Sequence, residues 1–585
     1  MHSTFVPMLK HYFPILEWLP KYKKSYLTGD FSAGITVGIM LIPQGMAYAL
    51  IAGLPPIYGL YAALIPNLIY VFTGSSRKLA VGPVALDSLI VASSLAAMKL
   101  ASTEEYISMA IFLALFVGAI QLIMGFMRLG FLSNFLSRPV VGGFTTAAAL
   151  VIAISQLKYF FGLQISTNNT VKTFQAIFSQ IQETNFYDLS IGVAAILVIL
   201  GLKKLHRKLP AAMVVVVLGI IGIYFFMVNE TDVNIVGQVP SGLPAFVLPD
   251  LNLDLVIKAF PTAMALAFIA FAEAMTIAKA VEDKSQEYYT DANQELRALG
   301  SSNIVGALFQ SFPANAGLSR TAVNVDEGAK TGIASLISVF VVGLTLLFLT
   351  PFFYYLPKSV LGAIILVAVY GLIDLKYPKQ LWRQRRDEFY LFLVTFMTTL
   401  LIGISQGIIF GVLFSLVLLV SRTSRPHIAI LGRIRGTDYF KNVNRFGDDI
   451  EEFEHTLVLR FDGQLYFANK DYFKAQLYKN ITKKGKTIKY VILNAEAINY
   501  IDSSALNLLT QIVLDLKEQK IELLIAGAIG PTRDILFSSG LADQIGRKNL
   551  FVRTSDAFEY CENLREKTAI QSKIAQQSKQ NSSVT

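Results

Sequence analysis

The sequence predicts a polytopic α-helical membrane protein with a compact α/β domain after its last span. Three observations support this fold class. Of the 585 residues, 54% are hydrophobic and only 16% are charged, whereas a soluble chain carries about 25% charged residues. Long apolar segments recur as far as residue 421. Beyond residue 425 the pattern changes to short apolar runs alternating with helical periodicity.

The head, 1–30, is basic, contains proline and shows no clear cleavage site before the first apolar span. It is expected to be a cytoplasmic N-terminal segment. Fourteen apolar segments follow, near 31–52, 56–73, 80–98, 107–127, 139–157, 187–203, 210–228, 258–281, 293–312, 318–329, 332–352, 357–373, 388–404 and 406–421. A full span needs about 20 apolar residues; several are shorter, and 80–98 and 318–329 carry polar residues inside. Charge supports the count. Alternate connections carry Arg77 and Lys78, then Arg128 and Arg138, then Lys203, Lys204, His206, Arg207 and Lys208. Lys284, Arg297, Lys330, Lys376, Lys379, Arg383, Arg385, Arg386, Arg422 and Arg425 continue the series. The opposite connections lack base: "AGLPP" and "GISQG" have none, and "NETD" (229–232) is acidic. Basic loops face the cytoplasm, so both termini are expected there, with the protein multi-pass in the inner (plasma) membrane. The formal net charge of +10 then reflects these loops and not nucleic-acid binding.

After residue 425, "TLVLRFDGQLYF" (456–467) alternates like a strand, and "YVILNAEAI" and "IELLIAGA" look like buried strands. "ALNLLTQIVLDLKEQ" has helical periodicity and follows "DSS", a helix-capping sequence. The transmembrane unit is expected over 31–425, a soluble α/β domain over 436–563 and a disordered polar tail over 564–585.

Two stretches pair. "VGPVALDSL" (81–89) and "AGLSRTAVN" (316–324) each turn helical after small residues, inside the third and the tenth segment. Seven segments separate them, which predicts a seven-plus-seven inverted repeat. Interrupted segments at matching positions of two halves point to a transporter site. Half-helices whose N-termini face each other offer free N–H groups and positive dipole ends, an anion site. Ser319 and Arg320 would strengthen it. A charge at the bilayer centre costs at least roughly 2.5–3.5 kcal/mol, so Arg320 is expected to face a water-filled cavity. The alternative is that it snorkels or pairs with a buried acid.

Gln44, Asp87 and Glu273 also sit in apolar surroundings, and Gln44 and Glu273 are again seven segments apart. Glu273 is a candidate proton carrier, because burial favours the neutral form of a carboxyl group; the alternative is a salt bridge to Lys279 or Arg320. Asp87 is a candidate ion-coupling residue or simply an acid capping its half-helix. The single cysteine, Cys561, excludes an intrachain disulfide and a Cys-rich metal site. There is no Walker motif, metal-ligand cluster or nucleophile–base pair. No enzyme activity, metal or cofactor is expected.

The run "PPIYGLYAALIPNLIYVFTGSSRKLAVGP" (55–83) resembles the sulfate-transporter signature, with Pro56, Tyr58, Gly59, Leu60, Tyr61, Gly74, Ser75, Ser76 and Arg77 in register. "LIPQGMAYALIAGLPP" and "GLSRTAVNVDEGAKTGIASLIS" resemble the family's first- and tenth-helix patterns, and "YFANKDYF" and "YIDSSALNLL" resemble its appended STAS domain. The resemblance, over about 20–560, is to the sulfate permease (SulP) family of anion transporters. It implies a uracil-transporter-like fold with core helices 1–4 and 8–11 and gate helices 5–7 and 12–14. It also implies homodimers, elevator-type motion and an anion held between the N-termini of helices 3 and 10. Carried onto this chain, the implied anion-binding residues are Gln44, Tyr48, Pro83, Val84, Ala85, Leu318, Ser319 and Arg320, with Glu273 lining the site. Sodium-coupled bicarbonate carriers of the family place Asp and Thr in helix 8, where this chain has Glu273 and Thr276. That favours protons over sodium, with Asp87 keeping a sodium-type site open. Some STAS domains are phosphorylated on the second hydroxyl residue of "DSSG", which makes Ser504 of "DSSA" a candidate phosphosite; the same motif also serves as a helix cap.

The expected function is proton-coupled secondary transport of a small inorganic anion, foremost sulfate. The alternatives are bicarbonate or dicarboxylate transport, anion exchange, and, in a different class, a membrane-tethered STAS signalling scaffold. The composition break near 425–436 implies that the soluble domain tunes transport. A chain truncated near residue 430 is expected to retain saturable uptake in liposomes at reduced rate or yield. Complete loss from a folded, inserted truncation would place the domain in the transport path.

Overall fold

The computed structural model describes residues 10, 12–98, 100, 102–135, 137–163, 165, 170–205, 210–225, 233–249, 253–285, 288–485, 487–564 and 566. The loop "NETD", the basic residues His206, Arg207 and Lys208, and nearly all of the 564–585 tail lie outside them. The chain forms two compact units, Met1–Ser415 and Leu416–Thr585.

Every apolar segment expected from the sequence contains a helix. In order these are α1 Leu27–Ile51, α2 Pro56–Thr73, α3 Ala85–Ala97, α4 Thr103–Phe126, α5 Arg138–Phe160, α6 Phe186–Leu205 and α7 Ala211–Phe225. The second half contains α8 Leu253–Ser285, α9 Ala292–Leu308, α10 Leu318–Asp326, α11 Ile333–Leu344, α12 Lys358–Tyr370, α13 Arg386–Leu401 and α14 Ile404–Ser424. Among the described residues, seven spans, those built on α1, α2, α4, α5, α8, α11 and α14, are long and apolar enough to cross a membrane by length and composition. The span of α11 reaches Tyr355 through a π-helical turn, Thr345–Leu349, and a 3-10 stretch.

As expected, the third and tenth segments turn helical only after a run of small residues; that run forms two-residue strands, β1 Val81–Gly82 and β2 Asn315–Ala316, before α3 and α10 begin. Two short polar helices, Thr170–Ser179 and Lys376–Gln384, had no counterpart in the apolar pattern. Each presents only a narrow apolar stripe, which a search for long apolar runs passes over.

Small residues bring the helices of the two halves together. A Cβ on Gly34 of α1 would stand 2.6 Å from the Ala334 carbonyl oxygen of α11. A Cβ on Gly118 of α4 would stand 2.7 Å from the Gly300 carbonyl oxygen of α9. Lipid tails are as apolar as leucine, so close backbone packing holds such helices together, and only glycine permits it here. Asp30 at the start of α1 accepts from the Lys330 and Thr331 amides (2.7 and 3.0 Å) and the Thr331 hydroxyl (2.7 Å). It thereby serves the donors just before α11.

In the second unit the strands are β3 Ile428–Ile434, β4 Phe440–Asn442, β5 Ile450–Glu451, β6 Thr456–Phe461, β7 Tyr490–Asn494, β8 Glu522–Ala526 and β9 Leu550–Phe551. They form one sheet in the order β4-β3-β6-β7-β8-β9, with β5 also on β3. Pairing from β6 to β9 is parallel because helices α15 Lys470–Lys484, α16 Ser503–Glu518 and α17 Gly530–Ser538 carry the chain back between strands. Alternation divides the side chains. Leu457, Leu459 and Phe461 pack with Leu477, Leu509 and Ile512, while Val458, Ile492 and Leu524 pack with Phe558 and Cys561 on the other face. The strand expected over 456–467 ends at Phe461, and Leu465 makes only an isolated bridge to Ile501.

Asp462 follows β6 and takes hydrogen bonds from Arg460 and His427. Burial pushes its carboxyl up, but these donors outweigh burial and hold it below its ordinary value of 3.8. A depressed folded value gives stability that is present above pH 3.8 and lost as pH falls through the lower folded value. Asp462→Asn is therefore expected to lower the unfolding temperature of this unit at pH 7 by roughly 2–4 °C. The difference from wild type should shrink and then vanish as pH falls below 3.8, as followed by fluorescence-detected melting across pH.

Candidate functional site

The site is built where the two interrupted segments meet. β1 and β2 pair antiparallel, Val81 against Ala316 and Gly82 against Asn315. The Gly317 amide extends the ladder by donating to the Ala80 carbonyl at 2.9 Å. Both chains then turn into helices, so the N-termini of α3 and α10 lie side by side. Neither helix has a side-chain cap: the N-cap positions are Val84 and Gly317. Their first-turn amides are open to an anionic ligand.

Arg320 is the third residue of α10 and is 2% exposed. Its Nη1 donates to the Pro83 carbonyl at 2.9 Å, and its Nε and Nη2 have no hydrogen-bond partner. Gly317 makes room for it, since a Cβ there would stand 2.5 Å from the guanidinium carbon. A buried cation with two unused nitrogens is costly unless an anion or water completes it.

Glu273 of α8 enters from the other side. The Asn315 amide nitrogen donates to its Oε2 at 3.3 Å. Glu273 forms no ion pair with Lys279 or Arg320, although the charges of Arg320 and Glu273 act on each other and on the Tyr48 hydroxyl of α1. The salt-bridge alternative for Glu273 is thus not what the structure shows. A cavity of about 50 Å³ adjoins it, lined by Leu86, Phe144, Ile269 and Ile408 among others. Thr276 is turned to its own helix, donating to the Ala272 carbonyl at 2.7 Å.

The sequence-predicted residues group as follows. Gln44, Tyr48, Pro83, Val84, Ala85, Asp87 and Arg320 are buried around the paired strands. Gln44 Oε1 has no partner. Leu318 and Ser319 are exposed at the mouth of α10. Asp87, in the first turn of α3, has neither carboxylate oxygen hydrogen-bonded, so it does not act as a cap. Ser504 lies in the second unit as the second residue of α16, where the capping oxygen is that of Asp502, accepting from the Ala505 amide at 2.8 Å.

Sequence reasoning missed Asn315, fully buried between Asp87 and Glu273. Its signal was an amide side chain among small residues in "PANAG". It also missed the clamps that fix the strands. Asn303 of α9 accepts from the Ala314 amide (2.8 Å) and donates to the Ala314 carbonyl (3.1 Å). Thr321 accepts from the Ala80 amide (3.1 Å), and Asn324 donates to the Lys78 carbonyl (3.1 Å). Glu295 gathers Tyr70, Ser75 and Ser76 at the end of α2.

The family model described as "Sulfate permease family" matches residues 27–395, and the STAS domain model matches 448–557. The chain is 38% identical over 578 residues to a protein named "Probable sulfate transporter 4.2" from Arabidopsis thaliana, covering 95% of this chain and 84% of the relative. It is 35% identical over 496 residues to human solute carrier family 26 member 6, covering 80% and 65%. The solved structure of the murine solute carrier 26 family member A9 anion transporter superposes with a TM-score of 0.89 at 27% identity, covering 96% of each chain. The transmembrane domain of a cyanobacterial bicarbonate transporter shares the fold, with a TM-score of 0.58 at 22% identity over 68% of this chain and 98% of that one.

If Arg320 completes a ligand site and is not a structural strut, Arg320→Ala should leave a folded, monodisperse protein. Its anion affinity should fall at least about tenfold, the worth of one charge-assisted hydrogen bond. Arg320→Lys should recover only part, because it lacks the planar fork. Unchanged anion binding by calorimetry would assign Arg320 a structural role.

Proposed function

From the premise that this chain belongs to the sulfate permease family of anion transporters and carries a STAS domain, we propose that it is a proton-coupled secondary importer of sulfate. The chain is a multi-pass membrane protein whose substrate class is an inorganic anion. The observation that carries the proposal further is the buried Arg320 guanidinium, with two nitrogens unpartnered, beside two uncapped helix N-termini. A tetrahedral dianion fits such a set, since it accepts from amides on two sides and from arginine on a third. The names of the plant relatives favour sulfate over the alternatives.

Protons supply the driving force through Glu273. Moving an anion inward against a negative interior costs about 2.3 kcal/mol per charge per 100 mV. Ionised, Glu273 neutralises Arg320 and repels the anion; protonated, it releases the guanidinium to the substrate. Proton and anion therefore occupy the cavity favourably only together. In this proposal helices 1–4 and 8–11 move as an elevator core against gate helices 5–7 and 12–14 in a homodimer. The termini and the STAS domain are cytoplasmic, the membrane is the plasma membrane, and Ser504 is a regulatory phosphosite at most. A scaffold role alone leaves the unfilled donors around Arg320 without a purpose.

Glu273→Gln, which imitates the protonated form, should bind sulfate in proteoliposomes but concentrate it less than wild type under a pH gradient. The comparison is uptake under an imposed proton gradient and under an imposed sodium gradient, for wild type and variant. Uptake driven by sodium alone, or undiminished concentration by the variant under a proton gradient, would disprove the mechanism.

A further inference from the structure

We infer that Asp87 is a second proton-binding residue of the transport site, and that Asp87 and Glu273 together carry two protons in with each dianion. The inference rests on the proposed proton-coupled import and concerns its stoichiometry.

The placement of Asp87 is unusual for a carboxylate. It is 0% exposed, and its oxygens have no hydrogen bond of ordinary geometry, the Asn315 side chain being the polar group that approaches them. Of the helices packed against α3, namely α1, α4, α5 and α8, only α8 brings a charged group to bear on it among the described residues, and that group is Glu273. From β2, the Asn315 side chain lies within reach of both acids: Nδ2 donates to Glu273, and Oδ1 is without a partner. A neutral Asp87 would offer that oxygen an O–H. Arg320 and Tyr48 act on Glu273 and complete the cluster.

Two buried carboxylates whose charges act on each other cannot both stay ionised beside a bound anion, because like charges in a dry site repel too strongly. With the anion gone the balance reverses. Asp87 stands in the first turn of α3, where the helix end favours negative charge. Glu273 is drawn to the uncovered Arg320. Each acid then takes over part of the positive field that the anion had used. Charge accounting makes the exchange even. The loaded site holds Arg320 (+1), a dianion (−2) and two neutral acids; the empty site holds Arg320 (+1) and two ionised acids (−2). Both sum to −1, so the cycle carries one dianion and two protons and moves no net charge. Glu273 alone would leave one negative charge uncompensated.

The test is sulfate accumulation in proteoliposomes under a fixed inward proton gradient, with and without an imposed inside-negative potential. Proton uptake is read in parallel with a pH-sensitive dye. Wild type should take up about two protons per sulfate and be insensitive to potential. Asp87→Asn imitates the loaded, neutral acid, so it should still take up sulfate, but with about one proton. Its steady-state accumulation should then fall about tenfold for each ~60 mV of inside-negative potential. Asp87→Glu should restore insensitivity. A folded Asp87→Asn protein that remains electroneutral, or takes up no sulfate, overturns the inference. So does a wild type that takes up one proton per sulfate, which would leave coupling through Glu273 standing. A wild type indifferent to the proton gradient sinks the proposed function itself, and this inference with it.

Discussion

The interaction on which the rest depends is the two-residue ladder between β1 and β2. It joins the two halves of the inverted repeat where the third and tenth segments are interrupted. Irregular backbone at membrane depth is tolerated only where its polar groups are satisfied by protein or water. Pairing satisfies the strand groups and leaves the following amides of α3 and α10 free. One structural necessity thus creates one chemical opportunity. Pro83, Val84, Ala85, Asp87, Leu318, Ser319 and Arg320 are placed by their short distance along the chain from this ladder, and Gln44, Tyr48 and Glu273 by the packing of α1 and α8.

A ladder of two residue pairs is weak alone, and the surrounding polar residues explain how it holds. Asn303, Thr321 and Asn324 each spend their hydrogen bonds on the backbone flanking the strands. Glu295 does the same for the turn after α2. These residues are buried and satisfied in large part by backbone, as stable interior polar groups should be. Arg320, Asp87, Gln44 and Asn315 are buried with polar atoms left over, as is the Oδ1 of Asn324. Packing completes the frame, since the close approach of α1 to α11 and of α4 to α9 ties the first half of the repeat to the second.

The sequence by itself determined the class, the fourteen segments, the change to an α/β domain and the two interrupted helices. Each of these is written in local periodicity or in single residues that are expensive in an apolar run, such as Arg320 and Glu273. It also pointed to Asp87, though not to whether it capped its helix. Only the tertiary structure decided that question, together with the strand pairing of 81–82 with 315–316, the role of Asn315 and the absence of a Glu273–Arg320 ion pair. The physical reason is range. Hydropathy and helix signals act over a few neighbours along the chain. Whether a buried polar atom is satisfied depends on groups more than 200 residues away, as Arg320 and Pro83 show, and no local pattern encodes that distance.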